Sequence, residues 1–365
     1  MNLRPGIRHD DEARLAPLLV DATHMKRHVT GIERITNELF SERALAPLPV
    51  RRVEAPFGGV AGMVAGQYGS LPLALLRERR AIALCPGFPP SPLLSRFGGR
   101  VIPYIHDLFL ITRKEDLSAR ARLYMAPAFA HAVRRLPRFF VNSQTTAGEL
   151  ARFARPDAEI HLYRPRVRNV FDLDAGERLA AAGRGANGPR LVALGTLEPR
   201  KNLLAAARIV EQLRAEGHAG ATLDIIGRDG WGGVRQSLQG RPGVRLRGYL
   251  EKREIRRLMH GADAFITTSH DEGLGLPLLE AQYAGLPVIA PDAPVFREVL
   301  ASGGVFIDTA DPRQAARRIS AVFAEEGWRG EYASRAAANV ERWNRQAEED
   351  RLAIIMLLAR LAARR

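Results

Sequence analysis

Two glutamates stand eight positions apart in the stretch 271–292, which reads DEGLGLPLLEAQYAGLPVIAPD. Glu272 comes just before a turn with two glycines, and Glu280 comes about one helical turn after Pro277. Glycines let a ligand approach the backbone closely, and proline suits the first turn of a helix. Free amides and the positive end of the dipole at such a helix start attract a phosphate group.

The chemistry that fits two carboxylates beside a phosphate site is sugar binding, because carboxylate oxygens accept hydrogen bonds from hydroxyl groups. One glutamate would hold a sugar and the other a ribose, which together describe a nucleoside diphosphate sugar. On these residues alone a second interpretation stays open, in which the two glutamates are a capping acid and a surface acid of an ordinary βα unit.

A second group with chemical potential is the loop 195–202, GTLEPRKN, which also precedes a predicted helix. Its adjacent cations, Arg200 and Lys201, would neutralise a diphosphate as its bond to the sugar breaks. They could instead be a solvated pair, but cations at a helix N-terminus are disfavoured by the dipole. Their position is easier to explain if a pyrophosphate lies between this corner and the glutamate-bearing one.

Short apolar runs alternate with helical stretches, and this alternation predicts an α/β protein with parallel sheets. In such sheets ligands bind at the carboxyl ends of the strands. The clearest predicted strands fall in two series, at 17–21, 100–105 and 139–143, and then at 191–194, 222–226, 264–269, 287–290 and 304–308.

The predicted organisation is two doubly wound, Rossmann-like domains that face each other across a cleft. The segment 172–189 has the small, polar composition of a linker, so an acceptor-binding domain is expected over 15–175 and a nucleotide-sugar domain over 188–340. Residues 341–365 read as one long basic amphipathic helix.

The ordered set of motifs resembles retaining glycosyltransferases of family 4, which have the GT-B fold. The resemblance is strongest between residues 191 and 308, and looser in the first half. The motifs are GTLEPRKNL, IIGRDGW, GYL, EGLGLPLLEA, GLPVIAPD and FREVL, preceded by DATHMKRHVTGIERI, IHDL and VNSQTT. The fold implies that the C-terminal helix packs back towards the N-terminal domain, as expected of the bacterial mannosyl- and rhamnosyltransferases that the motifs resemble.

The resemblance implies a role for each matching residue. Glu272 would bind hydroxyls of the donor sugar and Glu280 the ribose, while Arg200 and Lys201 would hold the diphosphate. His106 would face the reacting sugar. The remaining donor-binding positions are a glycine beneath the diphosphate and the residues of the two corners: Gly31, Gly195, Thr196, Gly273, Leu274, Gly275 and Leu276.

Two positions depart from the family pattern. Thr196 stands where many relatives have an arginine, which makes Arg200 more important or the grip on phosphate weaker. Leu274 replaces the usual phenylalanine between the two glycines.

The reaction implied is sugar transfer with retention, in which the departing phosphate oxygen takes the proton of the acceptor. GDP-mannose is the first expectation for the donor. The alternatives are a rhamnosyl- or glucosyltransferase that uses a dTDP- or UDP-sugar, and a nucleotide-sugar epimerase of the same fold. No cofactor or metal is expected, since the one D-x-D, Asp172-Leu173-Asp174, falls in the predicted linker.

The chain of 365 residues carries a net charge of +14, and residues 1–180 hold 27 basic but 18 acidic side chains. This excess suits a phosphorylated substrate or an anionic membrane, although an arginine-rich genome explains it as well. Nucleic acid is not expected, because no binding motif is present. We expect a cytoplasmic protein, peripheral on the inner face of the cell membrane, with a glycan or polyprenyl-diphosphate-linked acceptor.

Overall fold

A computed structural model describes residues 15–25, 31–117, 121–181 and 188–363. The chain divides into two compact units. Unit 1 contains Met1–Arg166 and Arg345–Arg365, and unit 2 contains Val167–Asn344.

Unit 1 is built on a six-stranded sheet in the order β2-β1-β3-β4-β5-β6, in which every pair is parallel. The central strands are buried along their whole length, as expected for a sheet covered on both faces. The strands are β1 Leu18–Asp21, β2 Val50–Val53, β3 Ile82–Cys85, β4 Val101–Ile105, β5 Arg138–Val141 and β6 Glu159–Leu162.

Helices connect these strands, as parallel pairing requires. The first begins at Gly31. Thr30, a residue type that often caps helices, lies outside the described residues. The helices of unit 1 are α1 Gly31–Leu39, α2 Glu42–Leu45, α3 Gly59–Ala65, α4 Leu71–Arg77, α5 Pro92–Ser95, α6 Phe109–Thr112, α7 Ala126–Arg135 and α8 Gln144–Ala151.

Unit 2 has a second six-stranded parallel sheet in the order β12-β11-β10-β7-β8-β9, and the chain reverses direction across the sheet between β7 and β10. Ligands bind at such a reversal point in doubly wound sheets. The strands are β7 Arg190–Leu194, β8 Thr222–Ile226, β9 Val244–Gly248, β10 Ala264–Ile266, β11 Val288–Pro291 and β12 Gly304–Ile307.

The helices of unit 2 follow the same alternation, and the last helix continues into residues that belong to unit 1. They are α9 Ala175–Ala181, α10 Leu203–Ala215, α11 Val234–Leu238, α12 Lys252–Gly261, α13 Leu276–Tyr283, α14 Pro294–Leu300, α15 Pro312–Ala324 and α16 Trp328–Ala363.

The C-terminal half of α16 packs within unit 1, as the fold prediction requires. Arg164 donates to both carboxylate oxygens of Asp350 at 3.0 and 2.8 Å. Ile354, Ile355 and Leu358 are buried. The helix begins at Trp328 and not near residue 341, because the predicted amphipathic pattern covers only its last part.

The predicted linker at 172–189 is wrong over its first part, which is helix α9. Arg178 of this helix is fully buried and donates to the carbonyl oxygens of Ala284, Gly285 and Ala262. The small and polar residues around Arg178 in the sequence did not predict this buried position. Residues 182–187 lie outside the described residues.

Two tryptophans of unit 2 differ in exposure. Trp343 is fully buried in the core of unit 2, among the side chains that cover one face of its sheet. Trp231 is 43% exposed. By length and composition alone, the helical run Gly59–Arg77 could cross a membrane, and 39% of its apolar window is buried.

Candidate functional site

Two strand-to-helix corners of unit 2 lie side by side, because β7 and β10 are neighbours in the sheet. One corner follows β7 and leads into α10. The other follows β10 and leads into α13. Each helix is long enough to present a free N-terminus, with 13 and 8 residues respectively.

The first corner ends in a 3₁₀ turn, Pro199–Lys201, which sets both cations just before α10. Asn202 follows in the left-handed conformation with φ 46°, which asparagine tolerates better than most residues. The hydroxyl of Thr268 donates to the carbonyl oxygen of Asn202 at 2.8 Å. This bond fastens the first corner to the segment that follows β10.

The second corner turns into α13 at Gly275, whose φ is 72°. A side chain there would be strained and would also meet Leu278 at 2.8 Å. Leu276 is the first residue of the helix and Pro277, which has no N–H, is the second. The amide of Leu278 donates to the carbonyl oxygen of Gly275 at 2.9 Å. The predicted glycine turn before a helix is therefore present.

A buried ion-pair network joins the two corners. Lys201 Nζ donates to Glu272 Oε1 at 2.6 Å, and Arg200 Nη1 donates to Glu272 Oε2 at 3.0 Å. The Glu272 side chain is 11% exposed, and each cation is 19% exposed. The sequence predicted that these three residues share one site, and they do, but it did not predict that they bind each other.

The charge state of Glu272 follows from this network. Burial raises the pKa of Glu272, but the charges of Lys201 and Arg200 outweigh burial, with hydrogen bonds from Lys201 and Ser269 adding to them. The result is a pKa of about 2. Glu272 is therefore an anion throughout the physiological range.

Two residues of the network had no role assigned from the sequence. Glu198 accepts from Arg200 Nη2 at 2.7 Å, so Arg200 is held between two carboxylates. Ser269 donates its hydroxyl to Glu272 Oε1 at 2.8 Å. Glu198 and Ser269 are polar residues in the loops that follow β7 and β10, and this location was a signal in the sequence for both. Their partners come from the other corner or the same turn, and only the structure reveals them.

The remaining predicted residues of unit 2 lie in these corners. Glu280 is 5% exposed and sits one turn inside α13. Leu274 is 5% exposed and packs in the hydrophobic core, so only its backbone can serve a ligand. Gly273, Gly195 and Thr196 belong to the turns themselves, and Thr196 is exposed.

Unit 1 holds the other two predicted residues. His106 follows β4, and its Nε2 donates to the carbonyl oxygen of Pro86 at 2.7 Å. Burial lowers the pKa of His106, so the ring is neutral. Gly31 is the exposed first residue of α1, and a Cβ atom there would meet nothing within 4 Å.

The carboxyl edge of the unit 1 sheet has a polar cluster of its own. Asp21 accepts from Thr23 and from Gln67. His24 Nε2 donates to the Thr36 hydroxyl at 3.0 Å, since that hydroxyl already donates to a carbonyl oxygen. Burial lowers the pKa of His24 to about 4, against an opposing effect of Glu33 and with the help of His106.

The D-x-D sequence has structural partners. Asp172 pairs with Lys252 at 2.6 Å, and Asp174 accepts from the amide of Glu177 at 2.9 Å, at the start of α9. In the described ranges, no group of three or more His, Cys, Asp or Glu side chains is placed to hold a metal ion.

Solved structures identify the fold as that of the GT-B glycosyltransferases. Sucrose-phosphate synthase from Thermosynechococcus elongatus matches with a TM-score of 0.72 at 15% identity, over 96% of this chain and 100% of that one. WaaG, a glycosyltransferase involved in lipopolysaccharide biosynthesis, matches with a TM-score of 0.63 at 15% identity, over 95% of this chain and 99% of that one.

The family model of the glycosyl transferases group 1 matches residues 179–343 of this chain. The serotype-specific mannosyltransferase WbdA of Escherichia coli is 29% identical over 91% of this chain and 45% of its own length. The O-antigen chain mannosyltransferase B of the same species is 27% identical over 41% of each chain. The chain thus spans less than half the length of these relatives.

Proposed function

We propose that this protein transfers a sugar from a nucleoside diphosphate sugar, with retention at the anomeric carbon. The observation that carries the proposal is the placement of Arg200 and Lys201 against Glu272, beside two helix N-termini at the carboxyl edge of the unit 2 sheet. The two cations lie there next to helix starts, a combination that suits an anion. The adjacent carboxylate is an acceptor for sugar hydroxyls.

In the proposed reaction, negative charge grows on the leaving diphosphate as the bond to the sugar stretches. Lys201, Arg200 and the amides near Leu276 stabilise that charge more in the transition state than in the ground state. A site of low exposure strengthens these interactions. The departing phosphate oxygen takes the proton of the acceptor hydroxyl, so no protein nucleophile is required.

The proposed donor is GDP-mannose. Its support is that the relatives named above are mannosyltransferases, as is RfbU of Salmonella typhimurium, which is 40% identical over 60 residues, 16% of this chain and 17% of its own. A dTDP- or UDP-sugar donor for rhamnosyl or glucosyl transfer is the alternative. Fold does not decide between them.

A thermal-shift screen of GDP, UDP and dTDP, each with and without its sugars, tests the donor, because a ligand of the folded state raises the melting temperature. NMR of the product would then show an α-linked mannoside. If an epimerised nucleotide sugar forms when no acceptor is added, the protein is an epimerase instead. We also propose that no metal or other cofactor takes part, so turnover should persist in excess EDTA.

We further propose a glycan or polyprenyl-diphosphate-linked acceptor, met at an anionic membrane on the cytoplasmic side. Support comes from the positive charge of the first half and from exposed apolar side chains of the run Gly59–Arg77, of which Val60, Leu73 and Leu76 are 47%, 46% and 62% exposed. Flotation with anionic liposomes should show binding that high salt weakens.

The roles of His106 and Gly31 towards the donor stay proposals carried over from the family. His106 is neutral and has one ring nitrogen committed to Pro86, so Nδ1 is the atom left to accept from a sugar hydroxyl. His106→Ala should lower turnover more than His161→Ala, since His161 lies within the edge strand β6, two strands away from β4, and pairs with Glu159.

A further inference from the structure

Glu272 forms ion pairs with both cations of the candidate diphosphate site, Arg200 and Lys201. Its Oε1 accepts from Lys201 and from Ser269, and its Oε2 accepts from Arg200. Among the described residues, the partner of the Lys201 ammonium is this carboxylate. Two positive charges are thus balanced by Glu272 and by Glu198, which holds the other side of Arg200.

The same three residues are proposed to bind two different parts of the donor. The cations bind the diphosphate, and Glu272 binds hydroxyls of the sugar. Both contacts require Glu272 to give up at least part of its present bonds. A buried carboxylate that loses its partners without gaining new ones is costly, because desolvation is no longer offset.

A nucleotide sugar can replace every bond that the two cations and Glu272 lose when they separate. Its phosphates take over the cations, and its hydroxyls donate to the released carboxylate. A bare nucleoside diphosphate replaces the bonds of the cations but not those of Glu272. It takes the cations but leaves Glu272 with Ser269 alone and next to a like charge, which raises the free energy of the complex.

We infer that Glu272 is a specificity-determining residue that makes the site favour a sugar-bearing nucleotide over the bare nucleoside diphosphate. The inference rests on the proposed function and adds a property to it. The bare diphosphate is the product of the transfer, so a resident anion that competes with it promotes product release.

Calorimetric titration of GDP and of GDP-mannose, without acceptor, tests the inference on wild type, Glu272→Gln and Glu198→Gln. Removing the Glu272 charge should tighten GDP binding about tenfold, or about 1.4 kcal/mol. It should leave GDP-mannose binding unchanged or weaker, because the amide is a poorer partner for hydroxyls. The preference for the sugar nucleotide then falls at least tenfold.

Glu198→Gln is the matched control, since it removes the same charge from Arg200 without touching Lys201 or the proposed sugar contact. It should tighten both ligands by similar factors and keep their ratio within threefold. Glu272→Asp keeps the charge and should leave GDP affinity within threefold of wild type. Melting temperatures establish that each variant is folded.

Weaker GDP binding by Glu272→Gln, or equal tightening of both ligands, would overturn the inference while leaving the proposed function in place. If wild type binds no nucleoside diphosphate, whether guanosine, uridine or thymidine, and none of their sugars, the proposed function fails first.

Discussion

The two units share one architecture, but burial and neighbouring charges have opposite weight for the ionisable groups at the carboxyl edges of their sheets. At the carboxyl edge of the unit 1 sheet, burial is the dominant influence. It raises the pKa of Asp21 and lowers those of His24 and His106, so each shifts towards its neutral form. At the same edge of unit 2, neighbouring cations outweigh burial and hold Glu272 charged.

This difference shows how one fold supports two kinds of binding site. A site that keeps its charges can attract a charged ligand such as a diphosphate. A site whose histidines are neutral offers hydrogen bonds to uncharged hydroxyls. We therefore expect anion binding to depend on unit 2.

The largest effect is expected at the buried arginine of unit 2. Arg178→Ala leaves three carbonyl oxygens without their donor and opens a cavity, which should lower the free energy of unfolding by about 4 kcal/mol. Arg100 makes similar bonds to three carbonyls in unit 1 but is less buried. Arg100→Ala should lower the free energy of unfolding, measured by urea denaturation, about half as much. Equal losses in the two variants would show that the units do not differ in this respect.

Lys201→Ala should slow sugar transfer at least 100-fold, about 3 kcal/mol in the barrier, because one of the charges that stabilise the leaving diphosphate is lost. Release of nucleoside diphosphate measures the rate. Lys252→Ala removes a cation from an exposed pair of the same unit and should leave the rate within twofold. A similar rate in both variants would contradict the assigned role of Lys201.

Acid should destabilise unit 1 before unit 2. The folded His24 has a pKa of about 4 against an ordinary 6.5, so its stabilising contribution is complete above pH 6.5. It is lost as the pH falls towards 4, and amounts to about 3 kcal/mol. The contribution of Glu272 is complete above pH 4.5 and falls towards pH 2.

Trp231, Trp328 and Trp343 all lie in unit 2, so tryptophan fluorescence follows that unit alone. Between pH 6.5 and 4, circular dichroism should show lost structure before fluorescence changes. Asp21, whose pKa burial raises, acts in the opposite direction. The His24→Gln variant isolates the histidine effect, since Asp21 titrates in both proteins, and identical acid profiles would refute it.

The smallest effect is expected at paired side chains on the sheet edges. Arg138 donates to both oxygens of Glu159 at 2.9 and 2.8 Å across β5 and β6, but Glu159 is half exposed. Glu159→Gln should change the free energy of unfolding by at most about 1 kcal/mol. Asp224→Asn in unit 2, where Asp224 is buried against Arg247, should cost more. The reverse order would show that exposure does not govern these pairs.

The sequence predicted the parallel α/β class and most of the strands of unit 2, because their apolar runs are flanked by glycine turns. It missed β2, β3 and β6 of unit 1. The first and last are edge strands with exposed polar residues, such as Arg51 and Glu159. Helix α9 was likewise missed, because its composition is that of a linker. Its buried Arg178 donates to carbonyl oxygens more than eighty residues away in the sequence.

The two corners of the candidate site could be predicted, since glycines, a proline and adjacent cations mark the ends of strands. Their contact depends on the sheet order, which the doubly wound class predicts. The direct bonds from Glu272 to Arg200 and Lys201 could not be predicted, because they depend on rotamers and on the 3₁₀ turn before α10.

Unit 1 is assembled from two stretches of chain, with all of unit 2 between them. During translation, unit 2 is complete before the residues of α16 that bury Ile354 and pair Asp350 with Arg164 have emerged from the ribosome. The usual order, in which the N-terminal domain folds first, is therefore interrupted here. A chain truncated after Asn344 would contain all of unit 2 and leave unit 1 without the helix segment that pairs Asp350 with Arg164.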